Sequence, residues 1–220
     1  MEIIPAILPK DYAELEEKIE LIKGIAPMVQ IDICDGKFVP QAGWPYKKQD
    51  NNFDAILKEE KGMPYWEDVD FEIDLMMADP EQEVEHWLTT GAKRIIIHLE
   101  STKNMDRIIG ELQGLVEIGI AIGLDTPVDD IAPFIHDIDV VQCMGIKRIG
   151  FQGEPFDERV LEKVRELKAR FPERLVSVDG GVNMETAEQL REAGADRLIV
   201  GSAIFASENV VQALDELAGV

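Results

Sequence analysis

Three aspartates in this sequence interrupt or end short apolar segments, where an unpaired charge is costly. Asp32 and Asp74 each lie inside such a segment, and Asp179 directly follows another. A buried carboxylate needs a hydrogen bond, a counter-ion or a proton, and neighbouring carboxylates raise one another's pKa unless a cation offsets them. Carboxylates in such surroundings are suited to removing and returning protons. We therefore take these three side chains as the candidate chemical centre.

Small residues follow two later apolar segments and predict an anion site. Gly180 and Gly181 come after the first segment, and Gly201 and Ser202 come after the second. A glycine backbone lets N–H groups approach a ligand closely, and the start of a helix after such a loop attracts phosphate. Because both loops precede helix-like segments, they indicate a phosphate cradle beside Asp179. A carboxylate next to a phosphate cradle is typical of an enzyme that acts on a sugar phosphate.

Eight apolar segments supply the candidate strands that position these residues. They are residues 3–8, 29–33, 71–76, 94–99, 120–124, 140–144, 175–178 and 197–200. Most are separated by polar stretches with apolar residues at helical spacing, and this alternation predicts a parallel sheet covered by helices. Eight such units in 220 residues predict a single α/β domain, a (β/α)₈ TIM barrel over residues 1–220. An open, doubly wound sheet is the alternative. In a barrel the carboxyl ends of the strands form the active face.

Composition narrows the class of partner. The chain has 44 acidic and 22 basic residues, a net charge of −22, so nucleic acid and anionic membranes are not expected as partners. No segment reaches the roughly 18 apolar residues that span a membrane, and the first residues lack the basic stretch of a signal peptide. We therefore expect a cytoplasmic protein. Cys34 and Cys143 are predicted to be free, buried thiols.

The link between the second and third candidate strands, residues 36–70, is unusually long. It contains Trp44, Tyr46 and Trp66. A loop of this length in a compact barrel usually has a function or carries a subunit contact. The link therefore predicts either a lid over the site or the interface of a homo-oligomer, because soluble enzymes commonly form symmetric oligomers.

Two motifs are specific enough, when they occur together, to indicate a protein family. Residues 35–40 read Asp-Gly-Lys-Phe-Val-Pro, and residues 178–182 read Val-Asp-Gly-Gly-Val. They are accompanied by Ile-Pro-Ala-Ile-Leu at 4–8, Ile-His-Leu-Glu at 97–100 and Gly-Ser-Ala-Ile-Phe at 201–205. With these motifs the chain resembles the ribulose-phosphate 3-epimerase family over essentially its full length. The resemblance implies a (β/α)₈ barrel that binds a ketose phosphate and inverts the carbon next to its carbonyl.

By position, the resemblance assigns the acid and base of that reaction to Asp32 and Asp179, on opposite faces of the substrate. It also implies substrate or phosphate contacts at Met76, Met144, Gly153, Gly180, Gly181, Gly201 and Ser202. Proton removal beside a carbonyl needs a base, and an electrophile must stabilise the developing oxyanion. In the family that electrophile is a divalent metal held by two histidines and the two aspartates.

The sequence departs from the family at both metal-binding histidines. Gln30 and Asp74 stand at those positions. Together with Asp32 and Asp179 they form an all-oxygen ligand set, which favours Mg²⁺ or Mn²⁺ over Zn²⁺ or Fe²⁺. A divalent metal site of this kind is the first prediction for the cofactor.

A metal-free site is the alternative prediction. The loop after the sixth strand departs from the family pattern, with one additional residue and with Glu154 in place of glutamine. Lys147 or Arg148 of this loop would then supply the positive charge, unless both are simply exposed loop charges.

Three functions remain open from the sequence. The first is a carbohydrate-phosphate epimerase or isomerase, with ribulose 5-phosphate as the expected substrate and xylulose 5-phosphate as the product. The second is a non-catalytic or regulatory sugar-phosphate binder, although such a protein has no need of two opposed carboxylates. The third is a related phosphate-barrel lyase. The Asp-x-Lys-x-x-Asp pattern of such lyases is absent at residues 74–79, which read Asp-Leu-Met-Met-Ala-Asp.

Overall fold

A computed structural model describes residues 1–151 and 153–219 of the chain. Eight parallel strands form a closed barrel in which each strand pairs with the next and the last pairs with the first. The strands are β1 (Glu2–Ile7), β2 (Met28–Cys34), β3 (Asp70–Met76), β4 (Arg94–His98), β5 (Glu117–Ile122), β6 (Val140–Met144), β7 (Leu175–Asp179) and β8 (Arg197–Val200). The closed barrel confirms the predicted (β/α)₈ fold, and the open-sheet alternative is wrong.

Helices connect the strands on the outside of the barrel. The α-helices are α1 (Tyr12–Ile22), α2 (Asn51–Leu57), α3 (Val84–Leu88), α4 (Met105–Leu112), α5 (Val128–Ile131), α6 (Arg159–Arg170), α7 (Met184–Ala193), α8 (Ser202–Phe205) and α9 (Val210–Ala218). Short 3₁₀ helices occur at Pro80–Gln82, Leu99–Ser101 and Ala132–Phe134. Across the described ranges, no helix combines the length and the apolar character that crossing a membrane requires.

The start of α7 is fixed by a capping box directly behind the Gly180–Gly181 loop. The Asn183 side chain accepts hydrogen bonds from the backbone N–H groups of Glu185 and Thr186, and the Thr186 hydroxyl accepts from the backbone N–H of Asn183. Such reciprocal bonds satisfy backbone donors that a helix start otherwise leaves unpaired. The loop that precedes α7 is therefore anchored at its far end.

The fifth strand differs most from its predicted range. Residues 120–124 were expected, whereas β5 runs from Glu117 to Ile122. Gly119 lies inside it, and a Cβ atom at that position would come within 2.8 Å of side-chain atoms of Ile96 and Val140. Side chains of neighbouring strands fill the barrel interior at this level, so only a glycine fits at position 119. Because glycine has no apolar side chain, the apolar pattern of the sequence begins only after it, and the predicted strand starts too late.

A buried ion cluster fills the barrel at the amino ends of the strands. Glu72 Oε2 accepts hydrogen bonds from Arg94 Nη1 at 2.6 Å and from Arg197 Nη2 at 2.7 Å. Arg197 also donates to Glu2 at 2.9 Å and to Ser177 at 3.2 Å. Glu72 is fully buried and both arginines are nearly so. We call these residues the floor cluster, because they close the end of the barrel opposite the pocket described below.

The long link after β2 packs largely against the chain's own core. Trp44 is buried and contacts Phe53 of α2 and Trp87 of α3, with ring centroids 5.4 and 6.1 Å apart. The Tyr46 hydroxyl accepts a hydrogen bond from Trp87 Nε1 at 3.3 Å. Trp66, in contrast, is 61% exposed. Of the three aromatic residues predicted to form a lid or an interface, Trp66 is the one whose ring is available to either.

Candidate active site

A pocket opens at the carboxyl ends of the strands. Its lining residues are Ala6, Leu8, Asp32, Met76, Met144, Ile146, Gly150, Phe151, Gly153, Glu154, Asp179, Gly180, Gly181, Val182, Ile199, Gly201 and Ser202. All the residues predicted for acid/base catalysis and for substrate or phosphate contact are on this lining. The fold therefore gathers around one space residues that come from the ends of several strands.

Asp32 and Asp179 line this pocket, and the fully buried Asp74 lies beside them. One carboxylate oxygen from each of Asp32, Asp74 and Asp179 lies within 4.8 Å of the other two. Strand pairing accounts for part of this arrangement, because Asp32 lies directly opposite Asp74 in the β2–β3 register. Asp74 is fully buried and Asp32 nearly so, whereas Asp179 is partly exposed. The predicted chemical centre is thus a compact group of three carboxylates.

Two buried glutamines hold these carboxylates in place. Gln30 Nε2 donates to Asp32 Oδ1 at 2.8 Å and to Asp179 Oδ2 at 3.3 Å. Gln142 Nε2, from β6, lies 3.2 Å from Asp74 Oδ2 and 3.5 Å from Asp179 Oδ2. Each amide therefore bridges two aspartates. Sequence reasoning missed Gln142, although a polar residue inside an apolar strand is the same signal that singles out Gln30.

His98, at the end of β4, is the fourth ionisable group of the centre. Its Nε2 atom lies 3.1 Å from Asp74 Oδ1, and its ring packs beside Phe38 with centroids 5.3 Å apart. Burial disfavours the imidazolium, but the nearby carboxylates, Asp74 first and then Glu100 and Asp179, together raise the pKa of His98. A protonated His98 offsets part of the negative charge of the three aspartates.

The pKa values of the two proposed acid/base residues are both raised. Burial is the largest cause for Asp32, and the charges of Asp179 and Asp74 add to it. Burial, followed by the Asp74 charge, raises the pKa of Asp179 to about 7. The Gln30 hydrogen bonds oppose both shifts. A carboxyl group that titrates near neutral pH can both accept and return a proton under physiological conditions.

The donor set fits a hard divalent cation. The three carboxylates offer oxygens close enough to share one ion, and Asp74 Oδ1 is buried 3.1 Å from His98 Nε2, which is not aligned to donate a hydrogen bond to it. A carboxylate oxygen in that state is stabilised by a cation or by a proton. Gln30 turns its amide nitrogen to the aspartates, while its carbonyl oxygen is buried and has no hydrogen-bond partner within residues 1–151 and 153–219. A half-turn of this amide would present the oxygen that the predicted Gln30 ligand requires.

Lys147 and Arg148, the predicted alternative to a metal, pair with carboxylates of their own loop. Lys147 Nζ lies 3.8 Å from Asp157 Oδ2, and Arg148 pairs with Glu154. Both side chains are largely exposed. In the described part of the chain, neither cation forms an ion pair with any of the three aspartates. The arrangement therefore gives no support to replacement of a metal by Lys147 or Arg148.

Two further acidic residues in the motifs shape loops. Asp35 accepts backbone N–H bonds from Lys37 and Phe38 through Oδ1 and from Ala78 through Oδ2, all between 2.8 and 3.0 Å. Glu100 Oε1 accepts from the backbone N–H of Gly123 at 2.7 Å. These bonds join the loops that follow neighbouring strands, so both carboxylates support the rim of the pocket.

The double glycine after β7 is required by its backbone and by its neighbours. Gly180 and Gly181 have φ angles of 98° and 72°, in the left-handed region that other residues seldom adopt. A Cβ atom on Gly181 would come within 2.7 Å of Phe156 Cα. The β7 loop therefore packs closely against the loop after β6, and the two together form one wall of the pocket.

A closed eight-stranded parallel barrel, with an acidic centre and paired glycine loops at the carboxyl ends of its strands, defines the class of (β/α)₈ barrels. The sequence model of the ribulose-phosphate 3 epimerase family matches residues 2–205, and the chain belongs to that family. The resemblance inferred from the motifs is thereby confirmed.

Curated relatives agree with this assignment. The ribulose-phosphate 3-epimerase of Bacillus subtilis is 33% identical over all of this chain and 99% of its own length. The Schizosaccharomyces pombe protein of the same name is 27% identical, covering 98% of this chain and 92% of its own. The chloroplastic ribulose-5-phosphate-3-epimerase of Arabidopsis thaliana is 28% identical, covering 96% of this chain and 74% of its own.

Solved structures of other barrels share the fold. KGPDC from Streptococcus mutans, in complex with D-R5P, superposes with a TM-score of 0.72 at 16% identity, covering 99% of this chain and 95% of its own. A 3-hexulose-6-phosphate synthase superposes with a TM-score of 0.68 at 18% identity, covering 100% and 99%. At these identities the likeness shows the fold alone.

Proposed function

We propose that the protein is a ketose-phosphate 3-epimerase that interconverts ribulose 5-phosphate and xylulose 5-phosphate. Its family and the names of its curated relatives support this activity. The observation that carries the proposal in this chain is that Asp32 and Asp179 line the same pocket as the paired glycine loops. A phosphate on those loops would direct the sugar toward the two carboxylates.

Asp32 and Asp179 are the proposed acid and base. One carboxylate takes the proton from the carbon beside the carbonyl, and the C–H electron pair moves into an enediolate. The other carboxyl group, protonated, then returns a proton to the opposite face of that carbon. The reaction needs one ionised and one protonated member of the pair. The raised pKa values of both residues favour such a state near neutral pH.

Asp32, Asp74, Asp179 and the Gln30 carbonyl oxygen would hold the divalent cation, with Mg²⁺ or Mn²⁺ favoured by the oxygen donors. When bound, such an ion supplies positive charge that stabilises negative charge developing on a substrate oxygen. Gln142 orients Asp74 and Asp179 through its amide nitrogen. His98 offsets the charge of Asp74 from the side.

The first experiment follows proton exchange by NMR. Ribulose 5-phosphate in D₂O is incubated with protein stripped of metal and then supplied with Mg²⁺, Mn²⁺, Zn²⁺ or no ion. Deuterium at the carbon beside the carbonyl, together with xylulose 5-phosphate, is the expected result. Phosphate-dependent binding without exchange in any condition would instead indicate a sugar-phosphate binder or a different substrate.

Two further features of the protein belong to the same proposal. We expect a homo-oligomer, because the Trp66 ring is exposed in the long link after β2. We also expect a cytoplasmic location, where sugar phosphates are available. Analytical ultracentrifugation of the wild-type protein and of Trp66→Ser tests the first expectation.

A further inference from the structure

The loop after β6 brings a carboxylate into the pocket proposed for phosphate. Glu154 lines the pocket beside Gly153, and its side chain is only 14% exposed. An ionised carboxylate there repels a phosphate ester, which carries between one and two negative charges at neutral pH. The other acidic lining residues are Asp32 and Asp179, and within the described residues no lysine or arginine is on the lining. A positive charge from the rim would therefore add to the backbone N–H groups of the glycine loops in binding a phosphate.

Arg148 holds Glu154 through two N–H groups at that rim. Its Nε donates to Glu154 Oε2 at 3.0 Å, and its Nη2 donates to Glu154 Oε1. The guanidinium also lies over the ring of Phe151, 4.9 Å from the centroid, and Phe151 lines the pocket. A planar guanidinium with two parallel N–H groups fits phosphate oxygens as well as it fits carboxylate oxygens.

We propose that Arg148 binds the substrate phosphate and selects phosphorylated ketoses, by passing from the Glu154 carboxylate to the phosphate when the substrate enters. Glu154 holds the guanidinium at the pocket rim until then. Arg148 is 66% exposed, so its side chain can reorient without disturbing the core. The inference rests on the proposed function, and it places the positive charge at the phosphate end of the pocket.

Substitutions of Arg148 and Glu154 should have opposite effects on the affinity for substrate. Arg148→Met removes the cation and leaves Glu154 unpaired, so KM for ribulose 5-phosphate should rise about 10- to 100-fold, the range for loss of hydrogen bonds to a charged group. Glu154→Gln removes the competing charge, so KM should stay level or fall. We expect kcat to change little in either variant, because the proposed contact is with the phosphate and not with the reacting carbon. Arg148→Lys keeps the charge without the paired N–H groups and should lie between wild type and Arg148→Met.

Arg170→Met is the matched control. Arg170 lies at the end of α6, where its Nη1 donates to Glu166 at 2.7 Å, and Arg170 is not among the residues that line the pocket. This substitution removes the same charge and breaks two ion pairs outside the pocket, one with Glu166 and one with Asp129. It should leave KM unchanged.

Calorimetric titration with inorganic phosphate separates this inference from the proposed activity. Wild type and Arg170→Met should bind phosphate equally, Arg148→Met at least about 10-fold more weakly, and Glu154→Gln as well or better. That order supports the inference even if ribulose 5-phosphate proves not to be the substrate. Equal phosphate affinity in wild type and Arg148→Met overturns it while leaving the epimerase proposal standing. A wild-type protein that does not bind phosphate overturns it as well.

Discussion

Gln142 Nε2 lies 3.2 Å from Asp74 Oδ2, although the two residues are 68 positions apart in the chain. The same nitrogen lies 3.5 Å from Asp179 Oδ2. One amide thus connects the aspartate that stands at a metal-binding position of the family with an aspartate proposed to exchange protons. Gln142 is a positioning residue for both.

Replacing Gln142 with leucine should slow the reaction more than it weakens binding. Asp74 and Asp179 each lose a donor, so the pKa of Asp179 should rise and the acid limb of the kcat/KM profile should move to higher pH. We expect kcat to fall about 10- to 100-fold, in line with loss of hydrogen bonds to charged groups. Gln212→Leu, at an exposed position of α9, is the control. An unchanged pH profile would leave Gln142 with a packing role only.

The two proposed acid/base residues can be separated by isotope exchange. Asp32→Asn and Asp179→Asn should each lower epimerisation about 10²- to 10⁴-fold, the usual contribution of a positioned acid or base. Each variant keeps one working carboxylate, so each should exchange the proton of one epimer while leaving the other unlabelled. NMR in D₂O, with ribulose 5-phosphate and xylulose 5-phosphate as substrates in separate experiments, measures the incorporation of deuterium into each epimer. Exchange of both epimers by the same variant would exclude the two-residue mechanism.

Stability in the presence of a chelator should fall as the pH rises from 5 to 8. Folding raises the pKa of Asp32, Asp179 and His98. The contribution of each group to the free energy of unfolding is therefore fully present below its pKa in the unfolded chain and is lost as the pH rises through its pKa in the folded protein. For Asp179 this interval runs from about 4 to about 7. Melting temperatures from circular dichroism provide the measurement.

Asp179→Asn is the control for this pH dependence. The net charge of −22 also grows more repulsive with pH, and that contribution persists in the variant. Removal of the Asp179 titration should make the decline shallower. An identical slope in the two proteins would assign the effect to general charge repulsion.

The barrel and the residues of its mouth were predictable because their signals are local. Strand-length apolar segments, paired glycines and isolated aspartates can all be recognised in windows of a few residues. The bridging role of Gln142 depends instead on where β3, β6 and β7 place three side chains, and no local pattern encodes that geometry. Gln142 still has a polar side chain in an apolar strand, so attention to every such position would have included it.

Loop contacts were the least predictable part of the site. Lys147 and Arg148 belong to the loop after β6, which supplies part of the pocket lining. Their side chains nevertheless pair with Asp157 and Glu154 of that loop. Trp44 was expected to be available for a lid or an interface, but the aromatic rings of α2 and α3 bury it. In both cases a contact outside the group of three aspartates decides the orientation of the side chain.

Arg197→Met should lower the stability of the fold much more than it lowers activity. The substitution removes one of the two arginines bonded to Glu72 and leaves a buried carboxylate short of positive charge. Breaking a buried pair in this way typically costs about 3–5 kcal/mol of unfolding free energy. Urea denaturation measures the loss, with exposed Arg191→Met as a control expected to stay within about 0.5 kcal/mol. At a temperature where all three proteins are folded, kcat/KM should fall far less than in Asp32→Asn or Asp179→Asn, because Glu72 acts on those two aspartates only through its charge.

Restoring both family histidines should change which metal the site prefers. Gln30→His with Asp74→His replaces two oxygen donors by imidazole nitrogens, which suit Zn²⁺ and Fe²⁺, whereas the wild-type oxygens suit Mg²⁺ and Mn²⁺. The charge balance changes in the same direction. Three aspartates with a bound dication have a net charge of −1. Two aspartates and two neutral histidines with the same dication have a net charge of zero.

The measurement is the metal content after dialysis against equimolar Mn²⁺ and Zn²⁺, followed by calorimetric titration with each ion. The ratio of bound Zn²⁺ to Mn²⁺ should be at least about 10-fold higher in the double variant than in wild type, given the ordinary preference of nitrogen donors for zinc. Asp129→Asn, an exposed change that also removes one negative charge, should leave the ratio unaltered. A wild-type protein that binds neither Mg²⁺ nor Mn²⁺, yet epimerises fully in chelator, would mean that the carboxylates, His98 and the two glutamines suffice without a metal.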